Sequence, residues 1–218
     1  MSAAIRRELT VVGRSAGLAA AVVAHTVLLT LFLVVWGEAG GLPLTPSVAF
    51  YDQFRGLELM SLALVLPWAV ARCVARERGD DIVILAAVAG IPVSRFIGAK
   101  LLAGCGVAAL VVLSALPPAV IAQQISALPW RRVAADTAAL VVFGMAAAAI
   151  TRACVQASGS AVSGWLAAVL VMLSIIVIIP RDLPAARQAV MYGMVAMLAI
   201  VPLMRSTMSV SYLSERRR

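Results

Sequence analysis

A chain of 218 residues with 63% hydrophobic and 13% charged residues departs from soluble domains, which hold about 45–50% apolar and about 25% charged residues. Its net charge of +8 comes from arginines placed between apolar runs, not gathered on one face with aromatics, so the basicity points to lipid headgroups and topology and not to nucleic acid. Cys73, Cys105 and Cys154 form no C-x-x-C pair and have no histidine nearby in sequence, which argues against a disulfide framework and a zinc site.

In chain order, Arg6, Arg7, Glu8 and Arg14 alternate with Ile5, Leu9, Val11 and Val12, a pattern suited to a helix lying in the membrane interface. The first span is expected from about Ala16 to Trp36. A cleaved signal peptide is the competing reading, but the apolar run exceeds the usual h-region of about 7–15 residues and no A-x-A site follows it. Gly40, Gly41, Pro43 and Pro46 make residues 37–53 a loop outside the hydrocarbon region.

The second span is expected from Phe54 to Val74, bent at Pro67. Arg72, Arg76, Glu77, Arg78, Asp80 and Asp81 then bring the chain back to water. Ile82 to Val93 is too short for a core that needs about 20 residues and reads as a short helix beneath the membrane, closed by Gly90, Pro92, Ser94 and Arg95. Further spans are expected over Phe96–Ala122, Val133–Ile150, Ala161–Ile179 and Ala189–Met204. The fold class is thus all-α, one polytopic membrane domain over residues 1–218 with six spans.

Orientation follows from the arginines, which are retained on the cytoplasmic side during insertion. With the N-terminus inside, Arg6, Arg7, Arg14, Arg72, Arg76, Arg78, Arg95, Lys100, Arg152, Arg205 and Arg216 to Arg218 face the cytosol. Arg55, Arg131, Arg132, Arg181 and Arg187 face outward. The imbalance puts both termini in the cytosol of a cytoplasmic (inner) membrane. Trp36 and Trp130 then fall near the outer interface, and Trp68 and Trp165 toward the inner one.

Lys100, the only lysine, follows Ala99, so no P-loop cradles phosphates here. Ionisable residues within spans are functional candidates by default. His25, the only histidine, sits mid-span, where it serves a substrate path or, as the simpler reading, bonds to a neighbouring helix. A serine hydrolase pairing of His25 with Ser158 in the Gln156–Gly159 stretch is the less favoured alternative. Glu58 is one helical turn from Arg55 and is expected to form an ion pair at the outer rim. Gly98, Gly104, Gly106, Gly159 and Gly164 suit close helix packing, within the chain or against a second copy.

Arg76, Glu77, Arg78 and Gly79, leading through Leu85 to Gly90, Ile91, Pro92, Val93, Ser94, Arg95 and on to Ala99, Lys100, Leu101, Leu102, together with the basic N-terminal stretch, resemble the ABC transporter permeases of the type-2 exporter superfamily. The resemblance implies that residues 1–15 form an interfacial elbow helix and residues 76–95 a cytoplasmic coupling segment. Through Glu77, Arg78, Gly79, Asp80, Asp81, Ile82, Leu85 and Arg95 that segment would dock on a separate cytosolic P-loop ATPase carrying the ATP and Mg, with no cofactor on this chain. A second permease copy or paralogue would complete the pathway. A membrane-embedded enzyme or a passive structural subunit of a membrane complex is the alternative.

Overall fold

The computed structural model describes residues 16–38, 48–79, 93–179 and 187–195. Those residues form helices α1 (Ala16–Glu38), α2 (Val48–Gly79), α3 (Val93–Ser114), α4 (Leu116–Ser126), α5 (Trp130–Ser158) and α6 (Ala161–Ile178), followed by helical residues 187–195, here α7. Four of them (α1, α2, α5 and α6) are long and apolar enough to cross a membrane, and the bent pair α3 and α4 makes a fifth crossing if read as one span. Among the described residues the structure is all-helical, and its apolar helices make the protein a multi-pass membrane protein. The expected elbow, the short helix over residues 82–93 and most of the sixth span fall outside the described residues.

Helix α2 is the hub and packs against α1, α3, α4, α5 and α6. It begins at Val48, so residues 48–53, expected as loop, are helical. Nothing after Pro46 breaks the chain, and Phe50, Tyr51 and Phe54 gain burial with Leu29, Ala119 and Val133. Its other end runs on to Gly79. Pro67 lies inside the helix, where its missing N–H leaves the Ala63 carbonyl without the usual donor. On the adjacent carbonyl, that of Leu64, the Trp165 indole of α6 donates a hydrogen bond at 3.3 Å.

The expected single third span is broken. Helices α3 and α4 meet at 45°, because Pro117 and Pro118 occupy the first positions of α4 and cannot continue the hydrogen-bond ladder of α3. Ser94 and Arg95, expected to close a turn, belong to the first turn of α3. Helix α5 outruns its expected bounds at both ends, so Arg152 lies on the helix and not in a loop.

Small residues set the closest approaches. A methyl group at Gly144 would stand 3.0 Å from Ala108 Cβ and one at Gly104 3.4 Å from Ala148 Cβ, so both glycines pack α5 against α3 within the chain. At Gly164 a methyl group would fall on the backbone of Val155, which is how α5 and α6 come together after the turn at Gly159, whose φ is +74°.

Burial divides into two apolar clusters. One holds Leu18, Leu62, Leu66, Val70, Val74, Val111 and Phe143 toward the Arg72 end of α2. The other holds Leu29, Phe50, Tyr51, Phe54, Ala119 and Val133 toward its Tyr51 end, with Phe32 and Trp36 packed on Phe50 at ring separations of 6.0 Å and 5.7 Å.

Candidate functional site: a buried polar layer between two apolar clusters

Each helix of the central bundle places a polar residue where one apolar cluster gives way to the other. On α1 these are His25 and Thr26, between Ala21 and Leu29; on α2, Glu58 and Ser61, between Phe54 and Leu62; at the α3 break, Ser114, between Val112 and Ala115; and on α5, Asp136, between Val133 and Leu140. The contacts themselves set this level: His25 meets Ser61, Thr26 meets Ser114, and Asp136 lies beside Tyr51 near the start of α5. His25, Glu58 and Ser61 are all buried. They face other helices and not lipid, as polar groups within a bilayer must.

Two hydrogen-bonded pairs hold α1 in this layer. His25 Nδ1 and Ser61 Oγ are 2.7 Å apart, the donor depending on the imidazole tautomer. The Thr26 hydroxyl donates to the Ser114 carbonyl at 3.2 Å and lies 3.1 Å from its hydroxyl, while the Ser114 hydroxyl donates to the Val111 carbonyl at 2.7 Å. Thr26 thus ties α1 to the point where the third span breaks, and His25, one residue earlier, ties it to α2.

From the layer, polar side chains climb α2 toward its Tyr51 end. The Arg55 guanidinium donates to Glu58 Oε2 at 2.6 Å. The pair expected at the rim therefore forms, but inside the protein, with Glu58 only 2% exposed. Above it, Tyr51 is fully buried, and its hydroxyl lies beside Asp136 of α5 without a well-formed hydrogen bond. The Arg132 guanidinium stands 5.8 Å from the Tyr51 ring centroid and donates to Asp52 Oδ1 at 2.7 Å, with a looser approach of 3.9 Å to Asp136. Asp52 and Arg132 are exposed, at 55% and 41% of their side chains. The series Asp52, Tyr51, Arg55, Glu58, Ser61 follows one stripe of α2 at spacings of three and four.

Among the described residues, four buried polar atoms have no hydrogen-bond partner: His25 Nε2, Tyr51 Oη, Gln123 Oε1 and Ser126 Oγ. Two of them belong to this stripe and its end, and the other two to α4, which packs against both α1 and α2 at the Tyr51 end. Buried polar groups are paired in the great majority of cases, so their concentration here marks the most polar interior of the described protein.

The other residues singled out from sequence lie elsewhere. Glu77, Arg78 and Gly79 form the last turn of α2, and Arg95 the first turn of α3. Asp80, Asp81, Ile82 and Leu85, with Arg6, Arg7, Glu8 and Arg14, lie outside the described residues. Ser158, the alternative nucleophile, donates to the carbonyls of Val155 and Ser160; the serine that His25 meets is Ser61. Sequence alone does not single out Ser61, Ser114 and Tyr51, because single hydroxyls are common in spans. The usable signal is the spacing of Tyr51, Arg55, Glu58 and Ser61. Among the described residues no group of three His, Cys, Asp or Glu side chains is placed to hold a metal ion. No family model, curated protein or solved structure matches the chain.

Proposed function

We propose that the chain is the membrane-spanning permease subunit of an ABC exporter in the cytoplasmic membrane. In this reading it has six spans, both termini in the cytosol and an elbow helix at residues 1–15. The single observation that carries the reading is the continuity of α2. Its 32 residues extend about 48 Å, well beyond a hydrocarbon core of about 30 Å. The excess ends in Arg76, Glu77, Arg78 and Gly79, so one rigid helix joins the buried layer at Glu58 and Ser61 to the segment that resembles a coupling helix. A separate P-loop ATPase carrying ATP and Mg, gripping residues 76–95 from the cytosol, would move the polar layer through α2. A second copy or a paralogue completes the translocation path.

The reading is tested by purifying the chain with its candidate ATPase and comparing wild type, Gly79→Val and Glu77→Ala/Arg78→Ala. The expected result is loss of co-elution and of ATPase stimulation in both variants with expression unchanged. Unaltered association and stimulation in both would reduce the segment to a loop that sets topology.

A membrane-embedded enzyme is the second reading, favoured by the 2.7 Å contact of His25 with Ser61. A serine nucleophile needs its base oriented by a third group, and the free nitrogen of His25 has no such partner. Covalent labelling of Ser61 by a fluorophosphonate, lost in Ser61→Ala, would support it over transport.

A further inference from the structure

The stripe on α2 is polar along one half of the membrane and apolar along the other. From Asp52 to Ser61 it carries a carboxylate, a phenol, an ion pair and a hydroxyl, and it covers about 14 Å of helix axis, about half of the hydrocarbon thickness. Beyond Ser61, residues 62–71 of α2 are all apolar or proline. Leu62, Leu66, Ala69 and Val70 among them pack with Leu18, Val107, Val111 and Phe143 in a closed cluster. The polar half opens to water at Asp52 and Arg132 and ends at His25, whose Nε2 is unpartnered and fully enclosed.

We infer that this stripe is a proton-access route from the Tyr51 end of the bundle, stopping at the His25–Ser61 pair in the middle of the membrane. The occupant follows from the packing. Tyr51, Glu58, Ser61 and His25 are each no more than 2% exposed, which leaves no room for a solute, whereas a proton passes between groups that both donate and accept. The Tyr51 and Ser61 hydroxyls and the imidazole are such groups, and Glu58 is one in its protonated carboxyl form. The imidazole at the end of the series is its terminal proton acceptor.

The groups around His25 give the route one direction. Helix α1 packs on α2, α3 and α4. On α2 the titratable or charged residues toward the open end are Tyr51, Asp52, Arg55 and Glu58, joined through α2 by Arg132 and Asp136 of α5. Toward the closed end α2 carries Arg72 and Cys73 and, in its last turn, Arg76, Glu77 and Arg78. On α3 they are Arg95, Lys100 and Cys105, of which Lys100 lies about 20 Å along the helix from Ser114, and α4 has none. The carboxylates near the layer, Asp52, Glu58 and Asp136, thus lie toward the open end, whereas Glu77, the carboxylate of α2 toward the closed end, is about 24 Å along the helix from Ser61.

The test needs only this chain in a bilayer, so its outcome is separate from that of the ATPase association. The chain has one histidine, and with a histidine-free affinity tag every imidazole signal in an [15N]histidine-labelled sample belongs to His25. Proteoliposomes are prepared in each single orientation, with the lumen buffered near pH 8 and the bath stepped from about pH 8 to about pH 4. The expected result is conversion of the neutral imidazole pattern to imidazolium when the Tyr51 end faces the bath, and no conversion when it faces the lumen. Conversion from the opposite side only, from both sides alike, or from neither overturns the route. A second measurement thins the seal: Leu62→Ser/Leu66→Ser should admit protons about tenfold faster than wild type, and adding His25→Leu should return the rate to the wild-type level. Absence of a leak, or a leak indifferent to His25, overturns it equally.

Discussion

The imidazole of His25 and the hydroxyl of Ser61 meet at 2.7 Å between α1 and α2, at the level where both helices pass from one apolar cluster to the other. This contact closes a layer that also includes Thr26, Ser114, Glu58 and Asp136. Its members come from four helices far apart in sequence, so a substitution in the layer acts on a pair of helices and not on one residue alone.

Removing one partner of the contact strands the other. Interhelical hydrogen bonds in membranes contribute about 0.6 kcal/mol on average and up to about 1.7 kcal/mol. Ser61→Ala and His25→Leu are therefore each expected to destabilise the bundle, with a coupling energy in that range. Reversible unfolding in bicelles, across the two single variants and the double variant, measures it. Strict additivity would show that the contact contributes nothing.

Arg55 and Glu58 should behave more severely. A buried ion pair that loses one member leaves an uncompensated charge, at a cost of about 3–5 kcal/mol, whereas replacing both with apolar groups is often neutral. Arg55→Leu, which strands Glu58, is expected to unfold more readily than Arg55→Leu/Glu58→Leu. Thermal stability by size-exclusion chromatography after heating distinguishes the two, and a double variant weaker than the single one would contradict the burial of the pair.

Gly164 and Gly98 make a contrast within one residue type. A methyl group at Gly164 collides with the Val155 backbone, while one at Gly98 meets nothing within 4 Å. Gly164→Ala should lose about 1–3 kcal/mol or fail to accumulate. Gly98→Ala should match wild type or gain slightly from its better helix propensity. Equal yields of both variants in detergent would refute the close contact of α5 and α6.

Ala127 ends α4 with φ of 51°, a left-handed conformation in which glycine is favoured over alanine by roughly 1 kcal/mol. Ala127→Gly is expected to raise the unfolding midpoint. The reverse substitution at the other left-handed cap, Gly159→Ala, should lower it by a comparable amount.

Single cysteines at Ser47 and Ser94 in a background without Cys73, Cys105 and Cys154 should react with an impermeant thiol reagent from opposite sides of the membrane. Position 47 immediately precedes α2 and position 94 opens α3. Labelling of both from one side would overturn the crossing of the membrane by α2.

The helices themselves are legible in the sequence because apolar runs of span length leave few alternatives in a chain with so little charge. Their ends are less so. The apolar core of the second span is plain from Phe54 onward, but Phe50 and Tyr51 are helical because α1 and α4 offer them a partner surface, and no local signal carries that. The break after Ser114 is written in Pro117 and Pro118, yet a proline pair within a long apolar run also fits a kinked single span. In the site, Glu58 and His25 stand out as ionisable groups among apolar neighbours, and the spacing of Arg55 to Glu58 announces their pairing. Ser61, Thr26 and Ser114 do not stand out, since a hydroxyl in a span commonly satisfies itself on its own helix, as Thr151 does on the Ala147 carbonyl.

The uneven distribution of polar groups along α2 also shapes the electric field across the membrane. A half containing charges and reorientable dipoles polarises and shunts the applied voltage, whereas the apolar stretch from Leu62 to Val70 cannot. If the polar half carries protons as inferred, the larger share of the transmembrane potential is expected to fall across that stretch, about 12 Å of helix. A charge at His25 would then sit at the edge of this drop, nearer the potential of the Tyr51 side. Loading of His25 by that route is then expected to depend only weakly on voltage, with most of the work of about 2.3 kcal/mol per 100 mV falling on any passage beyond Ser61.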